Sequence, residues 1–394
     1  MNRTKVVHII TKLDLGGAQQ NTLFTVAHLA RSRYDPVLIS GTNGLLVEDA
    51  KKLDDVKVYL LTELVREIRP IKDLIALLKI RNILKELKKD NVNNESEINS
   101  QIIVHTHSVK AGVLGRWAAY MAGVKIIISS IHGFSFNDYQ PSLVRAFYIY
   151  LEKLTSIITA KFVAVSNADI EKGIRNKLFT KDKVRLIRSG IDISRFMNKN
   201  HNRLRKRKEL GIEVEIPVVA MIACFKPQKS PLDFVKVAKI ISDEIPDAGF
   251  LMVGDGVIRS KIENMIEKIS IEDKIILLGW RRDIPEILSS IDILVLTSLW
   301  EGLPRVFPQA MASGVPVVAT EVDGAPEAIK NGVTGFLLQP RDIKGMAERI
   351  IYLIRNPDRA REMGEEGRKL VGEFDIWKMV EQQEELYTSL LNQC

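Results

Sequence analysis

The feature that most constrains the fold of this chain is a series of short apolar runs, rich in β-branched residues, that recurs along its length. Each run has the length of a β-strand, and stretches with helical periodicity separate the runs. Strands that are apolar at nearly every position are typical of parallel sheets covered by helices on both faces. The predicted strands are Lys5–Ile10, Val37–Ser40, Val56–Leu61, Ile102–His105, Lys125–Ser129 and Phe162–Val165 in the first half, and Val218–Cys224, Gly249–Val253, Lys274–Leu278, Ile293–Thr297, Val315–Ala319 and Gly335–Leu338 in the second.

Two such series in succession predict an α/β fold with two Rossmann-like domains. A chain of 394 residues is too long for one core and sufficient for two. The basic stretch Asn198–Lys208 marks the boundary, which gives a first domain over residues 1–204, a second over 205–375 and a closing helix within 376–394. The predicted helices are Ala18–Ala30, Lys72–Lys89, Leu143–Thr159, Leu232–Ser242, Ile343–Ile354 and Ile376–Leu391.

Charge is distributed unevenly between the two halves. Residues 1–200 contain 31 lysines and arginines against 19 aspartates and glutamates, whereas residues 201–394 contain 26 against 30. A basic half suggests an anionic partner such as a phosphorylated ligand or an anionic lipid surface, although a solvated basic surface explains the charge equally well. Basic residues do not alternate with aromatic residues along a predicted strand, which argues against a nucleic-acid partner.

The cysteine content and the apolar segments indicate the compartment. Two cysteines, Cys224 and Cys394, cannot form a disulfide framework or a closed zinc site, so a reducing compartment is expected. No apolar run approaches the ~20 residues of a membrane span, and Asp14 interrupts the first run too early for a signal peptide. We therefore expect a cytoplasmic protein. The segments Ile71–Lys89 and Leu143–Thr159 are either half-buried helices or surfaces for an anionic membrane, and the basic first half favours peripheral membrane contact.

Two loops at the predicted strand ends carry groups that bind anions. Gly16 and Gly17 follow the first strand and precede a helix, where backbone amides and the helix dipole favour negative charge, although an ordinary tight turn is also possible. Lys226 and Lys229 follow the first strand of the second half, at the edge where parallel sheets bind their ligands. Their ammonium groups could hold a diphosphate.

The segment Glu301–Gly314 carries the strongest functional signal. Glu301 lies at a predicted strand end, and its carboxylate can accept hydrogen bonds from sugar hydroxyls. The turn that follows offers amides for a phosphate at the start of a helix, and Gln309 lies about two helical turns further on. The turn residues are Gly302, Leu303, Pro304 and Arg305.

Three histidines lie at predicted strand ends. His105 and His107 are two residues apart, so their rings share one face of a strand, as metal ligands would. A zinc site needs further ligands, and neither a cysteine nor a third histidine lies nearby in the sequence. We therefore expect His105 and His107 to line an acceptor cleft, with no metal. His132 ends the strand of the Ser130–Gly133 motif, where a histidine is either structural or functional.

These motifs together resemble the family-four retaining glycosyltransferases with the GT-B fold. The resemblance covers nearly the whole chain and is most specific over Cys224–Phe336. It includes Val315–Thr320, Asp323–Ala328 and Asn331–Phe336 after the Glu301 segment. Further matches are Val253–Gly256, Ser189–Asp192 with Phe196, and the His-Gly pair at His132 and Gly133.

The resemblance implies a GT-B fold with a central cleft and a last helix that packs back on the first domain. It implies that Glu301 and His132 contact the donor sugar and that Lys229, with Lys226, binds the diphosphate. The second position of the family's glutamate pair is Gln309 here, and the position of a frequent family arginine is Cys224. An amide can still hold a ribose hydroxyl, without charge.

The resulting functional prediction is transfer of a sugar from a nucleotide diphosphate, with uridine diphosphate as the expected nucleotide, to a membrane-associated lipid-diphosphate-linked glycan. Trp280 and Arg281 are expected to meet the base, and the turn containing Asp323 and Gly324 to help close the site. The chain contains no Asp-x-Asp motif, so metal independence and no cofactor are expected. The alternatives are a GT-B sugar-nucleotide 2-epimerase and a non-catalytic homologue, which the departures at Cys224 and Gln309 suggest.

Overall fold

The computed structural model describes residues 3–92, 101–197 and 202–393. Their contacts divide the chain into two compact units, the first comprising Met1–Ser189 and Trp377–Cys394 and the second Gly190–Ile376. Within these described ranges, no helix combines the length and the apolar character that crossing a bilayer requires. Part of the predicted boundary segment, residues 198–201, lies outside the described residues, as does Cys394.

The first unit ends at Ser189, before the predicted boundary at residue 204. The reason is a short pairing between two distant segments of the second unit. The N–H of Ile191 donates to the carbonyl of Phe374 at 2.8 Å, and the N–H of Ile376 donates to the carbonyl of Ile191 at 2.9 Å. Backbone hydrogen bonds therefore assign the residues after Ser189 to the second unit, although the basic composition begins only later.

The described part of the first unit contains a seven-stranded parallel sheet with the order β3-β2-β1-β4-β5-β6-β7. The order reverses between β1 and β4, which creates a crevice at the carboxyl ends of these strands. The strands are β1 (Thr4–Ile10), β2 (Tyr34–Gly41), β3 (Lys57–Leu61), β4 (Ile102–His107), β5 (Ile126–Ile131), β6 (Lys161–Ala164) and β7 (Val184–Leu186). The helices are α1 (Gly17–His28), α2 (Val47–Lys51), α3 (Pro70–Val92), α4 (Val109–Met121), α5 (Ser142–Ser156) and α6 (Asn167–Arg175).

The described part of the second unit contains a six-stranded parallel sheet with the order β10-β9-β8-β11-β12-β13, which reverses between β8 and β11. The strands are β8 (Val218–Ile222), β9 (Gly249–Val253), β10 (Ile275–Gly279), β11 (Ile293–Leu296), β12 (Val317–Thr320) and β13 (Gly335–Leu338). The helices are α7 (Ile193–Phe196), α8 (Arg203–Glu209), α9 (Pro231–Glu244), α10 (Arg259–Lys268), α11 (Ile284–Ser290), α12 (Val306–Ser313), α13 (Ala325–Ala328), α14 (Ile343–Arg355) and α15 (Pro357–Leu370).

The last helix, α16 (Ile376–Leu391), belongs to the first unit from Trp377 onward. The hydroxyl of Tyr34 donates to the carbonyl of Glu384 at 3.1 Å, and the N–H of Ala30 donates to the Glu384 carboxylate at 2.7 Å. These contacts join the end of the chain to the first strands of the sheet.

The predicted α/β architecture with two parallel sheets is confirmed. The strand prediction missed β7, because a run of three half-buried residues gives no clear apolar signal. It also ended β4 at His105, whereas the strand continues to His107 with every residue buried. Histidine is unusual inside a buried strand, so the sequence alone does not predict that β4 extends to His107. In the fold, β1 and β5 pair with β4 along this part of the strand.

The helix α12 leads away from the Glu301 segment and is held by a close approach to α15. Gly314 ends α12 in the left-handed region, with φ of 72°. A Cβ atom at Gly364 of α15 would lie 1.9 Å from the carbonyl oxygen of Gly314. The two helices therefore meet backbone to backbone, and only glycine fits at residue 364.

We predict that Gly364→Ala lowers the free energy of unfolding by about 1–3 kcal/mol or more, because the added methyl group overlaps a carbonyl that cannot move aside. Urea denaturation of the purified variant measures this change. The matched control is Gly372→Ala, since a Cβ at residue 372 meets no atom within 4 Å. Equal denaturation midpoints for the two variants would contradict the close packing of α12 on α15.

Candidate active site

Glu301 and Lys229 meet at the carboxyl end of the second unit's sheet. The Lys229 ammonium forms a salt bridge with Oε1 of Glu301, and the hydroxyl of Ser298 donates to the same oxygen at 2.6 Å. The two charged side chains are only 16% and 7% exposed. Because the pair lies beside the β8/β11 reversal, it occupies the position where open parallel sheets bind ligands.

The loop after β12 supports Glu301 from the other side. Oδ2 of Asp323 accepts the N–H of Glu301 at 2.7 Å, and the N–H of Gly324 donates to the carbonyl of Gly302 at 3.0 Å. Asp323 has a φ of 40°, in the left-handed region that aspartate tolerates better than most residues. The structure therefore brings together the predicted residues Glu301, Gly302, Asp323 and Gly324.

The loops that carry Lys229 and Glu301 are also tied to each other. The hydroxyl of Thr297 donates to the carbonyls of Lys229 at 3.0 Å and of Ser230 at 2.9 Å. The side-chain amide of Gln228 donates to the carbonyl of Trp300 at 2.8 Å. These bonds fix the two charged side chains by way of their backbones.

The turn before α12 is largely buried, including Gly302, Leu303 and Pro304. Arg305 and Gln309 are half-buried. The Nε–H of Arg305 donates to the carbonyl of Gly190 at 2.9 Å. Desolvation, and secondarily the charge of Arg195, lowers the pKa of Arg305 to about 10. The group stays cationic at neutral pH, and an anionic ligand would stabilise that charge.

The remaining predicted residues of the second unit lie in the loops after β8 and β10. Lys226 is half-buried in the loop that contains Lys229, and the indole of Trp280 is 38% exposed after β10. Arg281 is held by Asp283 through two hydrogen bonds of 2.8 and 2.6 Å. The bonds to Asp283 raise the pKa of Arg281 above its ordinary value and hold the pKa of Asp283 below its own.

In the first unit, Gly16 and Gly17 lie where β1 leads into α1. Gly16 is the N-cap residue, and its N–H donates to the carbonyl of Asp14 at 2.8 Å. A local turn already uses the N–H of Gly16. Of the two amides predicted to bind an anion, only that of Gly17, the first residue of the 12-residue helix, remains a candidate.

His132 lies directly after β5 and lines a small cavity of the first unit with His107, Ser130, Asn21 and Gln383. The side chain of Asn21 is 4% exposed, and neither its amide nitrogen nor its amide oxygen has a hydrogen-bond partner among the described residues. A buried amide without partners is stabilised when a ligand offers it a donor or an acceptor. Sequence reasoning missed Asn21, since one asparagine in a predicted helix carries no signal.

A third histidine, His8, lies beside His105 and His107. It comes from the middle of β1, and the β1/β4 register places it next to His105. The Nδ1 atom of His8 lies 2.9 Å from Nε2 of His107, and Nδ1 of His105 lies 2.7 Å from the hydroxyl of Tyr387. The sequence did not reveal this third ring, because His8 and His107 are 99 positions apart in the chain and become neighbours only through the pairing of β1 with β4.

The expected place of His105 is also wrong. His105 is fully buried and is not part of the cavity wall, whereas His107 is. Burial lowers the pKa of His8 to about 3, and burial together with the neighbouring histidines holds the pKa values of His105 and His107 well below normal. All three rings are therefore neutral at physiological pH, which is the protonation state that a transition metal would require. Ligand nitrogens of the three lie within 4.8 Å of one another.

Each unit presents groups that can bind an anion or hydroxyl groups. In the second unit, a buried cation and carboxylate lie among fixed loops, an arrangement suited to a phosphate and a polyhydroxyl ligand. In the first unit, a neutral imidazole and an unpartnered amide line a cavity. Two parallel α/β units, each with a reversal of strand order, are the architecture of the GT-B class.

Comparison with known proteins identifies the family. The model described as "Glycosyl transferases group 1" matches residues 202–370, and the model described as "Glycosyltransferase Family 4" matches residues 15–195. A relative from Escherichia coli, "UDP-Gal:alpha-D-GlcNAc-diphosphoundecaprenol alpha-1,3-galactosyltransferase", is 31% identical over 396 residues, covering 99% of this chain and 98% of the relative. This chain therefore belongs to the family-four glycosyltransferases and is a glycosyltransferase.

Two further similarities extend this result. The "N-acetyl-alpha-D-glucosaminyl L-malate synthase" of Bacillus anthracis is 30% identical over 295 residues, covering 73% of this chain and 75% of the relative. The crystal structure of the Anabaena protein HepE with UDP-glucose matches with a TM-score of 0.82 at 20% identity, covering 98% of this chain and all of that one. This structural match confirms the GT-B fold.

We predict that the free energy of unfolding falls steeply as the pH falls from 6.5 toward 5. Below pH 6.5 the unfolded chain protonates its histidines, whereas folded His8 resists protonation until about pH 3. Each neutral buried ring contributes about 1.4 kcal/mol per pH unit, so three contribute about 4 kcal/mol per pH unit. Urea denaturation at several pH values measures the slope.

His8→Phe should reduce this slope by about a third, since one of three rings is removed. The exposed histidine His28 supplies the control, because His28→Gln should leave the slope unchanged. An unchanged slope in His8→Phe would show that His8 is not buried in neutral form.

Proposed function

We propose that this glycosyltransferase moves a sugar from a UDP-sugar, with retention at the anomeric carbon, to a sugar linked to a lipid diphosphate. The observation that carries the proposal is the buried Lys229–Glu301 pair at the strand reversal of the second unit. An ammonium there binds the diphosphate, and the released carboxylate accepts hydrogen bonds from sugar hydroxyls.

The Escherichia coli relative supports the choice of donor and acceptor. Its name specifies UDP-Gal as donor and a GlcNAc-diphosphoundecaprenol as acceptor, and the similarity extends over nearly the full length of both chains. The name also specifies an alpha linkage, which is the configuration that retention from an alpha-linked nucleotide sugar produces. The epimerase alternative finds no support among the relatives described above.

In the transfer, the bond between the anomeric carbon and the diphosphate oxygen breaks, and a bond to the acceptor oxygen forms. Negative charge develops on the leaving phosphate, and Lys229 with Lys226 and the amides of the turn before α12 stabilise it. The leaving phosphate takes the acceptor's proton, so no protein base is required. These cations and amides serve the role that a divalent metal plays elsewhere, and transfer proceeds without one.

In the first unit, His132, the Asn21 amide and the amide of Gly17 contact the reacting ligands. The imidazole and the amides carry hydrogen-bonding groups that suit the hydroxyl groups of a sugar. His107 contributes through His132, since Nδ1 of His107 lies 3.4 Å from Nε2 of His132.

The helix α5 gives the proposed enzyme a surface for a membrane. Leu143, Phe147, Tyr150, Leu154 and Ile157 follow helical spacing and are all exposed, from 38% to 84%. An exposed apolar stripe on one helix face is typical of an interfacial helix, and Arg145 and Lys153 on the same helix can meet anionic headgroups. We therefore place the enzyme at the inner face of the cell membrane, next to its lipid-linked acceptor.

The transfer is tested with a panel of nucleotide sugars and a GlcNAc-diphosphate-lipid acceptor, following release of the nucleoside diphosphate with and without chelator. We expect acceptor-dependent release of UDP that chelator does not change. Lys229→Met and Glu301→Gln should each lower kcat/KM about 100-fold or more. The first removes a cation that stabilises the charge on the leaving phosphate, and the second removes a carboxylate that orients the sugar.

Lys239→Met is the matched control, since Lys239 pairs with Asp243 on the exposed surface of the same unit. The double variant Lys229→Met/Glu301→Gln should recover the stability that either single variant loses, because no unpaired charge stays buried, yet it should remain inactive. UDP binding without release from any donor, across several acceptors, would instead favour the non-catalytic alternative.

Membrane contact is tested by flotation with vesicles of phosphatidylcholine, with or without phosphatidylglycerol. We expect binding to the anionic vesicles, and a loss of about tenfold or more in Phe147→Ser/Ile157→Ser, since both side chains would leave the acyl boundary. Val257→Ser is the control, because Val257 is 85% exposed but lies in the second unit. Equal flotation of all variants would remove the proposed role of α5.

A further inference from the structure

The cavity of the first unit contains buried polar atoms that the described residues leave unsatisfied. Asn21 is 4% exposed and Thr25 is 1% exposed, and both line the cavity from α1. The amide nitrogen and oxygen of Asn21 and the hydroxyl of Thr25 have no hydrogen-bond partner in the described part of the chain. Residues four positions apart lie on the same face of a helix, so these three atoms are neighbours. A ligand that satisfies them recovers the free energy that their burial costs.

The cavity lies where an open parallel sheet binds its ligands. Its wall includes His107 at the end of β4 and Ser130 near the end of β5, so it adjoins the carboxyl ends of strands that follow the β1/β4 reversal. It contains about 290 Å³ of empty space, part of which is open to solvent. A substituent that projects from a bound sugar can therefore enter the cavity.

The same cavity is also lined by apolar side chains. Val163 on β6, Val165 directly after β6 and Ile187 directly after β7 are each at most 3% exposed. Apolar walls favour the burial of a methyl group and oppose the burial of a hydroxyl that finds no partner. The lining therefore fits a group that combines a hydrogen-bond donor, an acceptor and apolar atoms.

An acetamido group has this combination. Its carbonyl accepts from the amide nitrogen of Asn21, its N–H donates to the amide oxygen of the same side chain, and its methyl group meets the apolar lining. The carbonyl has a second lone pair for the hydroxyl of Thr25. Two sugar hydroxyls could satisfy the Asn21 amide as well, but they bring no apolar atoms to Val163 and Ile187.

We infer that Asn21 and Thr25 form a binding site for the acetamido group of a 2-acetamido sugar and thereby determine which sugar the enzyme accepts. The inference rests on the proposed function for the acceptor as the molecule that carries this group, whereas the class of group follows from the cavity lining. A site with buried donors and acceptors rejects an analogue that leaves them unpaired, so selectivity is the property that this site provides.

An ordered water is the simplest alternative occupant of the cavity. Water donates and accepts, so it too can satisfy the Asn21 amide and the Thr25 hydroxyl. It gains nothing from the apolar lining, however, and it makes no distinction between sugars that differ in one substituent. Selectivity for the 2-substituent therefore separates the two occupants.

The test compares two acceptors that differ only at the 2-position, GlcNAc-diphosphate-lipid and its glucose counterpart. We expect the unmodified protein to favour the GlcNAc acceptor by about 100-fold or more in kcat/KM. Asn21→Leu removes the amide at similar size and should bring this ratio to about one, by lowering transfer to the GlcNAc acceptor. Replacing Asn21 removes no hydrogen bond to another described residue, so the variant is expected to fold.

Ser40→Ala is the matched control, because Ser40 is fully buried and its hydroxyl also lacks a partner among the described residues, but it does not line the cavity. It should keep the ratio of the unmodified protein. If Asn21→Leu does not fold, Thr25→Val replaces it. This variant removes one hydroxyl at nearly constant volume and should lower the ratio about tenfold.

Two further measurements assign the group to its source and separate this inference from the proposed function. UDP-GlcNAc and UDP-glucose are compared as donors, since an acetamido group on the donor would use the same chemistry. Calorimetric titration with short-chain, water-soluble analogues of both acceptors measures binding without transfer. We expect the GlcNAc analogue to bind with a Kd about 100-fold lower in the unmodified protein, and this difference to disappear in Asn21→Leu.

The outcomes separate the two proposals. A ratio near one for acceptors and donors alike, or an unchanged ratio in Asn21→Leu, overturns the inference and favours an ordered water. Selectivity among donors alone, lost in Asn21→Leu, supports the acetamido site and assigns it to the donor sugar. Absence of transfer from every donor, with the difference in Kd present in the unmodified protein and lost in the variant, contradicts the proposed function and leaves the acetamido site established.

Discussion

Removing the Lys229 ammonium and the Glu301 carboxylate from water costs the hydration of two charges, and their mutual attraction offsets that cost only while they stay in contact. The rest of the second unit's site follows from this constraint. Ser298 and the Asp323 loop hold the carboxylate side, and Thr297 holds the backbone of Lys229. A phosphate that takes over the ammonium leaves the carboxylate without its cation, and sugar hydroxyls are then its natural partners. Under the proposed function, donor binding is an exchange of partners within a prearranged set of groups.

The first unit buries polar groups by a different physical route. The rings of His8, His105 and His107 have no carboxylate among their hydrogen-bond partners in the described structure, and they avoid the cost of a buried charge by remaining neutral. A neutral chain stabilises its members only if every donor meets an acceptor, so a single substitution affects the whole series. The two units should therefore differ in what weakens them: charge imbalance in the second, and acid or a broken donor–acceptor order in the first.

Most of the fold could be predicted from the sequence because parallel strands buried on both faces leave a strong apolar pattern. Glu301, Lys229 and Asp323 could be found because each follows such a strand, and topology brings strand ends together. His8 could not be found, since it lies inside an apolar run and only the β1/β4 register makes it a neighbour of His105. The boundary at Ser189 depends on the pairing of Ile191 with residues near 375, and composition carries no trace of such a contact. The sequence thus predicts which residues follow a strand, but it does not predict which distant segments pair with each other.

The contact between Tyr387 and His8 has a consequence for the order in which the site is completed. These residues are 379 positions apart, so the hydroxyl that contacts His8 and His105 arrives only when α16 has docked on the first unit. Until then, Nδ1 of His105 and Nε2 of His8 lack the hydroxyl that lies 2.7 Å and 3.4 Å from them in the folded unit. Docking of α16 therefore does more than bury apolar surface. It also supplies the buried hydroxyl that hydrogen-bonds to a ring on β1 and to a ring on β4, and those ring nitrogens would lose this partner without the helix.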